Sequence, residues 1–131
     1  MERTLIIIKP DAVQHKNVGK IISIYEEENF NIEQIKILIP NENILSKHYH
    51  EHIGKKFYQE LIDFMKSDRV VVLIMSKNNA IAEARRIIGD TNPLTAEKGT
   101  IRQLFGTDIT KNAVHGSANI IDAQREINIW F

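Results

Sequence analysis

The run Val70-Val71-Val72-Leu73-Ile74-Met75 narrows the choice of folds more than any other stretch of the chain. It is too continuously apolar for a strand with one wet face, so it belongs in the middle of a sheet, covered on at least one side by helices. Arg3 to Ile8 reads as a second buried strand, a β-branched run too short for a helix and stopped by Lys9-Pro10-Asp11. Phe30 to Ile39 is a third, with Ile35, Ile37 and Ile39 alternating against Lys36 and Leu38 before Pro40 ends it. The last is Asn112 to His115, where Gly116 permits a sharp turn and lets bulky groups approach the backbone.

Between these strands the apolar period lengthens. Val18, Ile21, Ile22 and Tyr25 recur at i, i+3, i+4 and i+7, the stripe of an amphipathic helix. Residues 41–67 read as helical in two pieces broken near Gly54, with Tyr58, Leu61, Ile62 and Met65 facing inward. Asn79 to Ile88 forms a helix carrying Arg85 and Arg86. Asn119 to Trp130 forms the last, with Ile120, Ala123, Ile127 and Trp130 inward. Strand and helix thus alternate four times. The simplest small solution is an α/β (α+β) chain with a four-stranded sheet and helices on one face, the ferredoxin-like arrangement, with right-handed crossovers wherever neighbouring strands run parallel.

At 131 residues the chain is expected to form one domain, residues 1–131, able to bury a core without metals or disulfides. Seventeen basic side chains balance seventeen acidic ones, so overall charge steers it toward neither nucleic acid nor membrane, and any anion site must be local. The absence of cysteine excludes thiolate chemistry and suits a reducing compartment. Four apolar residues after Thr4 make neither a signal h-region nor a membrane span, and the cytoplasm is the expected location.

Phosphate-binding loops are absent. Gly19-Lys20 is followed by Ile21, with Gln14 where the first glycine of a P-loop belongs, and no two glycines stand two apart. If nucleotides bind, side chains must hold the phosphates. His48-Tyr49-His50-Glu51-His52 contains the inverted zinc-protease pattern, which on one helix would place His48 and His52 on a shared face. A solvated helical face is the plainer reading of the same residues. Lys9, Arg85 and Arg102 stand at or near element boundaries with Thr91 and Asn112 beside them, and their convergence would make a cationic pocket for phosphate oxygens. The irregular segment 89–99 is long for a compact domain, a feature of functional loops. His115, at a strand end before Gly116 and Ser117, would face a cleft.

Asn112-Ala113-Val114-His115-Gly116-Ser117, with Lys9-Pro10-Asp11, Thr91-Asn92-Pro93 and Gly99-Thr100-Ile101-Arg102, resembles nucleoside diphosphate kinase in order and spacing over essentially the whole chain. The resemblance implies a ping-pong transfer in which the terminal phosphate of a nucleoside triphosphate passes to His115, on Nδ1, and then to another nucleoside diphosphate. An ordinary neutral imidazole has the free lone pair this needs. It further implies that Lys9, Arg85, Thr91 and Arg102 hold phosphates, that Lys9 and Asn112 reach the ribose, and that Tyr49 touches the phosphoryl site. Glu126 would orient the imidazole with support from Ser117, while the base stacks on Phe57 opposite Ile109. A stacking slot reads no base edge, so specificity should be broad. Mg2+ would arrive on the nucleotide, with no protein metal ligand. Oligomers built on a common dimer, tetramer or hexamer, are expected, and a scaffold that binds without turnover is the alternative. The pattern departs at Ala118, where aspartate is usual, at Gln103-Leu104, and at Lys55-Lys56 before Phe57.

Overall fold

A computed structural model describes every residue from Met1 to Phe131. In order its elements are β1 (Glu2–Ile8), α1 (Pro10–Gln14), α2 (Val18–Glu27), β2 (Asn31–Leu38), α3 (Glu42–His48), α4 (Tyr58–Met65), β3 (Val70–Lys77), α5 (Ala80–Ile88), α6 (Ile101–Phe105), β4 (Val114–Gly116) and α7 (Ile120–Trp130). The four strands form one sheet in the order β2-β3-β1-β4, and every neighbouring pair is antiparallel. The ferredoxin-like arrangement is the one observed.

The continuous apolar run is the reason for the layering. β3 lies inside the sheet and buries both of its alternating sets of side chains. Val71, Leu73 and Met75 join Ile6 and Ile8 in a larger core with Ile21 and Tyr25 of α2 and Ala84, Ile87 and Ile88 of α5. Val70 and Val72 join Leu5 and Ile7 in a smaller core with Leu45 of α3, Ile62 and Met65 of α4 and Trp130 of α7. Helices therefore cover both faces, not one, because α3, α4 and α7 pack on the side opposite α2 and α5. Truncating a central residue such as Ile6 to alanine would cost about 2–5 kcal/mol.

Three further expectations change. The β2 alternation exists, but Ile35 and Ile37 are 52% and 62% exposed, because β2 is an edge strand. They pair in register with Leu73 and Val71 and so share the larger core's face of the sheet, beyond its helices. Ile120 is 56% exposed, since α7 begins there; the buried positions are Ala123, Glu126 and Trp130, with Ile127 packed partly buried against the smaller core, so a carboxylate occupies a core position. The last strand is shorter and later than Asn112 to His115, which places His115 at its centre. Gly116 makes no turn there. A Cβ on it would meet Ile88 Cδ1 at 2.7 Å, so its lack of a side chain admits α5 against the strand.

Candidate active site

Val114 precedes His115 with a burial that alternation explains: flanking Val114 and Gly116 are buried, and the imidazole between them is partly open. Its Nε2 lies 3.0 Å from Glu126 Oε1. Glu126 is 4% exposed and its carboxyl is held low, at about 2; burial pushes it up, and the hydrogen bond and charge of His115 more than offset that. An ionised carboxylate only accepts, so Nε2 carries the proton and donates, which leaves the lone pair of the neutral ring on Nδ1. Nδ1 has no hydrogen-bond partner in the protein. Ser117 Oγ donates to the same Glu126 oxygen at 2.6 Å and accepts from Leu5 N–H at 3.2 Å. The relay ties β1, β4 and α7 at one point.

The segment leading into β4 is strained. Ala113 has φ +75°, a left-handed conformation that costs a residue with a Cβ roughly 1–3 kcal/mol. Bonds on both sides of the residue hold it: Ala113 N–H donates to Asp11 Oδ2 at 3.1 Å, and its carbonyl accepts from Lys9 N–H at 2.8 Å. Asp11 is 4% exposed; burial raises its carboxyl pKa against the pull of that amide and of Lys9. Asp11 belongs to the Lys-Pro-Asp motif, and its part in setting the approach to His115 arises from this long-range bond to Ala113.

Lys9 emerges where β1 gives way to α1, and its ammonium donates to Asn112 Oδ1 at 2.8 Å and Thr110 O at 3.4 Å. It is 7% exposed; burial, with Arg102 nearby, lowers its pKa to about 8. Asn112 uses its amide nitrogen on the carbonyls of Thr91 and Ile109, so one side chain joins the 9, 91 and 109 segments. Arg102, on α6, donates to the carbonyls of Gly89 and Val114, and its Nε is buried without a partner. Gly89 is required at that spot: φ is +88° and an added Cβ would fall 2.5 Å from Thr100 Oγ1. Arg85 donates to Gly116 O at 3.3 Å. Tyr49 Oη is buried with no partner, and burial, then Glu126, raises its pKa well above the usual phenol value, so it stays a donor.

These groups line two adjoining cavities, of about 270 and 410 Å³, which share Tyr49, His52, Thr91, Arg102 and His115. Arg85 and Glu126 border the smaller; Lys9, Asn112, Phe57 and Ile109 border the larger. With Ser117 behind Glu126, all eleven residues singled out in the sequence lie at one place. Reasoning from the sequence did not reach Glu60, which faces the larger cavity, or Arg125, which faces the smaller and donates to Lys47 O at 2.9 Å. No local pattern announces them, and His52, noted only for the zinc-protease pattern, faces both cavities.

The zinc-protease reading of His48 to His52 fails on geometry. α3 ends at His48 and residues His50–His52 form a 3₁₀ turn, so no continuous helix carries both histidines. Nor is this a solvated helical face. His48 is buried, and its Nδ1 accepts from the Trp130 indole at 3.0 Å. Ligand atoms of His48, His115 and Glu126 do lie within 4.8 Å of one another. The facing atoms of the latter two are already joined, which makes the cluster a hydrogen-bond relay before it is a metal cage.

The family model for nucleoside diphosphate kinase matches residues 2–131. The chain belongs to the nucleoside diphosphate kinase family. A nucleoside diphosphate kinase of Acaryochloris marina is 46% identical over 131 residues, all of this chain and 88% of that protein. The crystal structure of the Aquifex aeolicus nucleoside diphosphate kinase superposes with a TM-score of 0.95 at 40% identity, covering 99% of this chain and 94% of that one. That from Encephalitozoon cuniculi gives 0.97 at 36% identity, covering 100% and 89%. Against the usual nucleoside diphosphate kinase pattern, Ala118 lines the smaller cavity in place of a carboxylate. Asp122, in the first turn of α7, brings one to the same cavity, 3.8 Å from Arg125.

Proposed function

We propose that the chain transfers the terminal phosphate of a nucleoside triphosphate to a nucleoside diphosphate through phosphohistidine 115. The observation that carries this is the free Nδ1 of a ring whose Nε2–H is anchored on Glu126, inside a cavity bordered by Arg85 and Arg102. The Nδ1 lone pair attacks the terminal phosphorus in line, the Nδ1–P bond forms, and the bond to the bridging oxygen breaks with its electron pair leaving on the diphosphate. Return transfer reverses the step, with a terminal oxygen of a second diphosphate as nucleophile. The nucleotide enters as its Mg2+ complex, so the ion is part of the substrate and bound largely by phosphate oxygens and water.

In this reading Lys9, Arg85, Thr91 and Arg102 neutralise the phosphate oxygens, and Tyr49 Oη donates to the one in flight. Lys9 and Asn112 meet the ribose, and Phe57 and Ile109 hold the base between them. Positioning and charge neutralisation supply most of the catalysis, because the loose transition state asks little covalent chemistry of the protein. Incubation with γ-labelled ATP should leave acid-labile label on His115, and added diphosphate should remove it. A protein that binds nucleotide and takes no label would be the scaffold of the alternative reading, which nothing in the site favours.

A homo-oligomer is part of the same proposal. Ile35, Ile37 and Ile39 leave an apolar strip along the open edge of β2, the kind of strand that a second copy covers. Light scattering decides between a dimer-based tetramer and a hexamer. No helix is long and apolar enough to cross a membrane. A cytoplasmic location is inferred from the want of any cysteine that an oxidising compartment would pair.

A further inference from the structure

A slot that only stacks would treat all bases alike, and one residue here argues against that. Glu60 is the sole acid among the groups lining the larger cavity, whose other charges, Lys9 and Arg102, are cationic. It lies in the first turn of α4, three residues after Phe57, so both side chains project from one helical face. Its carboxylate is exposed and enters no hydrogen bond or ion pair with the protein. It also borders a neighbouring groove with Asp108, Ile109 and Thr110, which places it at the outer end of the slot, away from His115.

We propose that Glu60 makes this site prefer guanine nucleotides. The inference rests on the base lying between Phe57 and Ile109 with its phosphates toward His115. In that pose the base's free edge meets an unpaired anion. Guanine offers two parallel donors there, N1–H and the N2 amine, which a carboxylate accepts together. Adenine offers one amine beside the N1 acceptor, cytosine one beside N3, and uracil or thymine a single N–H between two carbonyls. Each of these sets a lone pair against the carboxylate. The same charge repels phosphates from the outer end, so it favours entry in the productive direction. Exposure to water keeps the effect modest, about fivefold.

Calorimetric titration with GDP, ADP and IDP tests this without turnover. The wild-type protein should bind GDP about fivefold more tightly than ADP, with IDP, which keeps N1–H and lacks the amine, between them. Glu60→Ala should bring the three affinities within about twofold, and Glu60→Gln should favour ADP, since an amide presents adenine with a donor as well as an acceptor. Equal affinities in the wild type, or a GDP preference that survives Glu60→Ala, would overturn the inference. Phe57→Ala separates it from the reading beneath it: weaker binding of all three nucleotides supports the stacking pose, whereas unchanged binding condemns the pose and the inference together. The labelling experiment on His115 stands apart from either result.

Discussion

The two ends of the cleft are built on different terms. At the inner end Glu126, Ser117, Lys9, Asn112 and Asp11 are all less than a tenth exposed, and each has at least one side-chain polar atom bonded to another part of the fold. At the outer end Phe57 is 45% and Ile109 65% exposed, and Glu60 is bonded to nothing. Under the proposed function the contrast follows from what each end would have to do. Stabilising a phosphoryl group in flight needs dipoles and charges that do not reorganise, so the fold immobilises them in advance. Holding a base needs only a flat apolar surface, which works without a rigid frame.

The largest test of that contrast removes the reacting atom. His115→Gln should lower exchange by at least about 10⁴-fold and abolish acid-labile labelling. Exchange at the wild-type rate in a purified preparation would end the argument for the inner end. Glu126→Gln leaves an acceptor for Nε2–H but removes the charge, and a loss of roughly 100-fold in kcat is expected. The same carboxylate links stability to pH. Its folded pKa, about 2, lies below the usual 4.5, so the folded state binds fewer protons. The stability it contributes is complete above about pH 4.5 and is lost as the pH falls toward 2, on the order of 3 kcal/mol. Acid titration of unfolding should show that fall in the wild type, and a flatter curve in Glu126→Gln.

The inner end was also the more legible in the sequence, though not for reasons of pattern alone. Val70 to Met75 announces a central strand because nothing else makes six successive apolar residues useful, and the helical stripes of α2 and α4 are periodic enough to read. α1 and α6 span five residues each, too few for a period to appear. Pro10 was legible as a strand stop, yet it occupies the first turn of α1, where its missing N–H costs nothing. Periodicity marks Ile35 and Ile37 as one face of a strand but cannot say that the strand is an edge and the face open. Glu126 sits at a helical core position where a carboxylate looks misplaced until His115 and Ser117 are seen against it. The resemblance supplied that pairing, and spacing alone would not have done so. Glu60 and Arg125 became visible only once the chain was closed around the cleft, and His52, read for a zinc pattern, turned out to face that cleft instead.

At the outer end the effects should be smaller and spread evenly. Phe57→Ala is expected to weaken binding about tenfold for every base, the worth of one stacking contact. A loss confined to one base would mean that the ring reads an edge, and the distinction between the two ends would blur. pH separates them again. Lys9, with a pKa of about 8, carries its charge at neutrality and sheds it above, so kcat/KM should fall roughly tenfold between pH 7 and pH 9. The fold does not weaken through this group, because a lysine whose folded pKa lies below 10.5 adds stability as pH rises from 8 to 10.5. Binding that weakens while the melting temperature holds is the expected signature, and Lys9→Met should flatten the profile.

The smallest effect belongs to Ile109. It is mostly in water, in a loop whose backbone is held by the Asn112 amide nitrogen donating to the Ile109 carbonyl, a bond in which the isoleucine side chain has no part. Cutting it to alanine removes part of one wall of the slot and almost nothing from the core. Ile109→Ala should therefore lower nucleotide affinity about threefold while the melting temperature stays within about 2 °C of the wild type. If the melting temperature drops by much more, the segment around Ile109 is carrying structural weight, and the outer end is not the loose frame that the exposed side chains describe. If affinity is unchanged, the base rests on Phe57 alone.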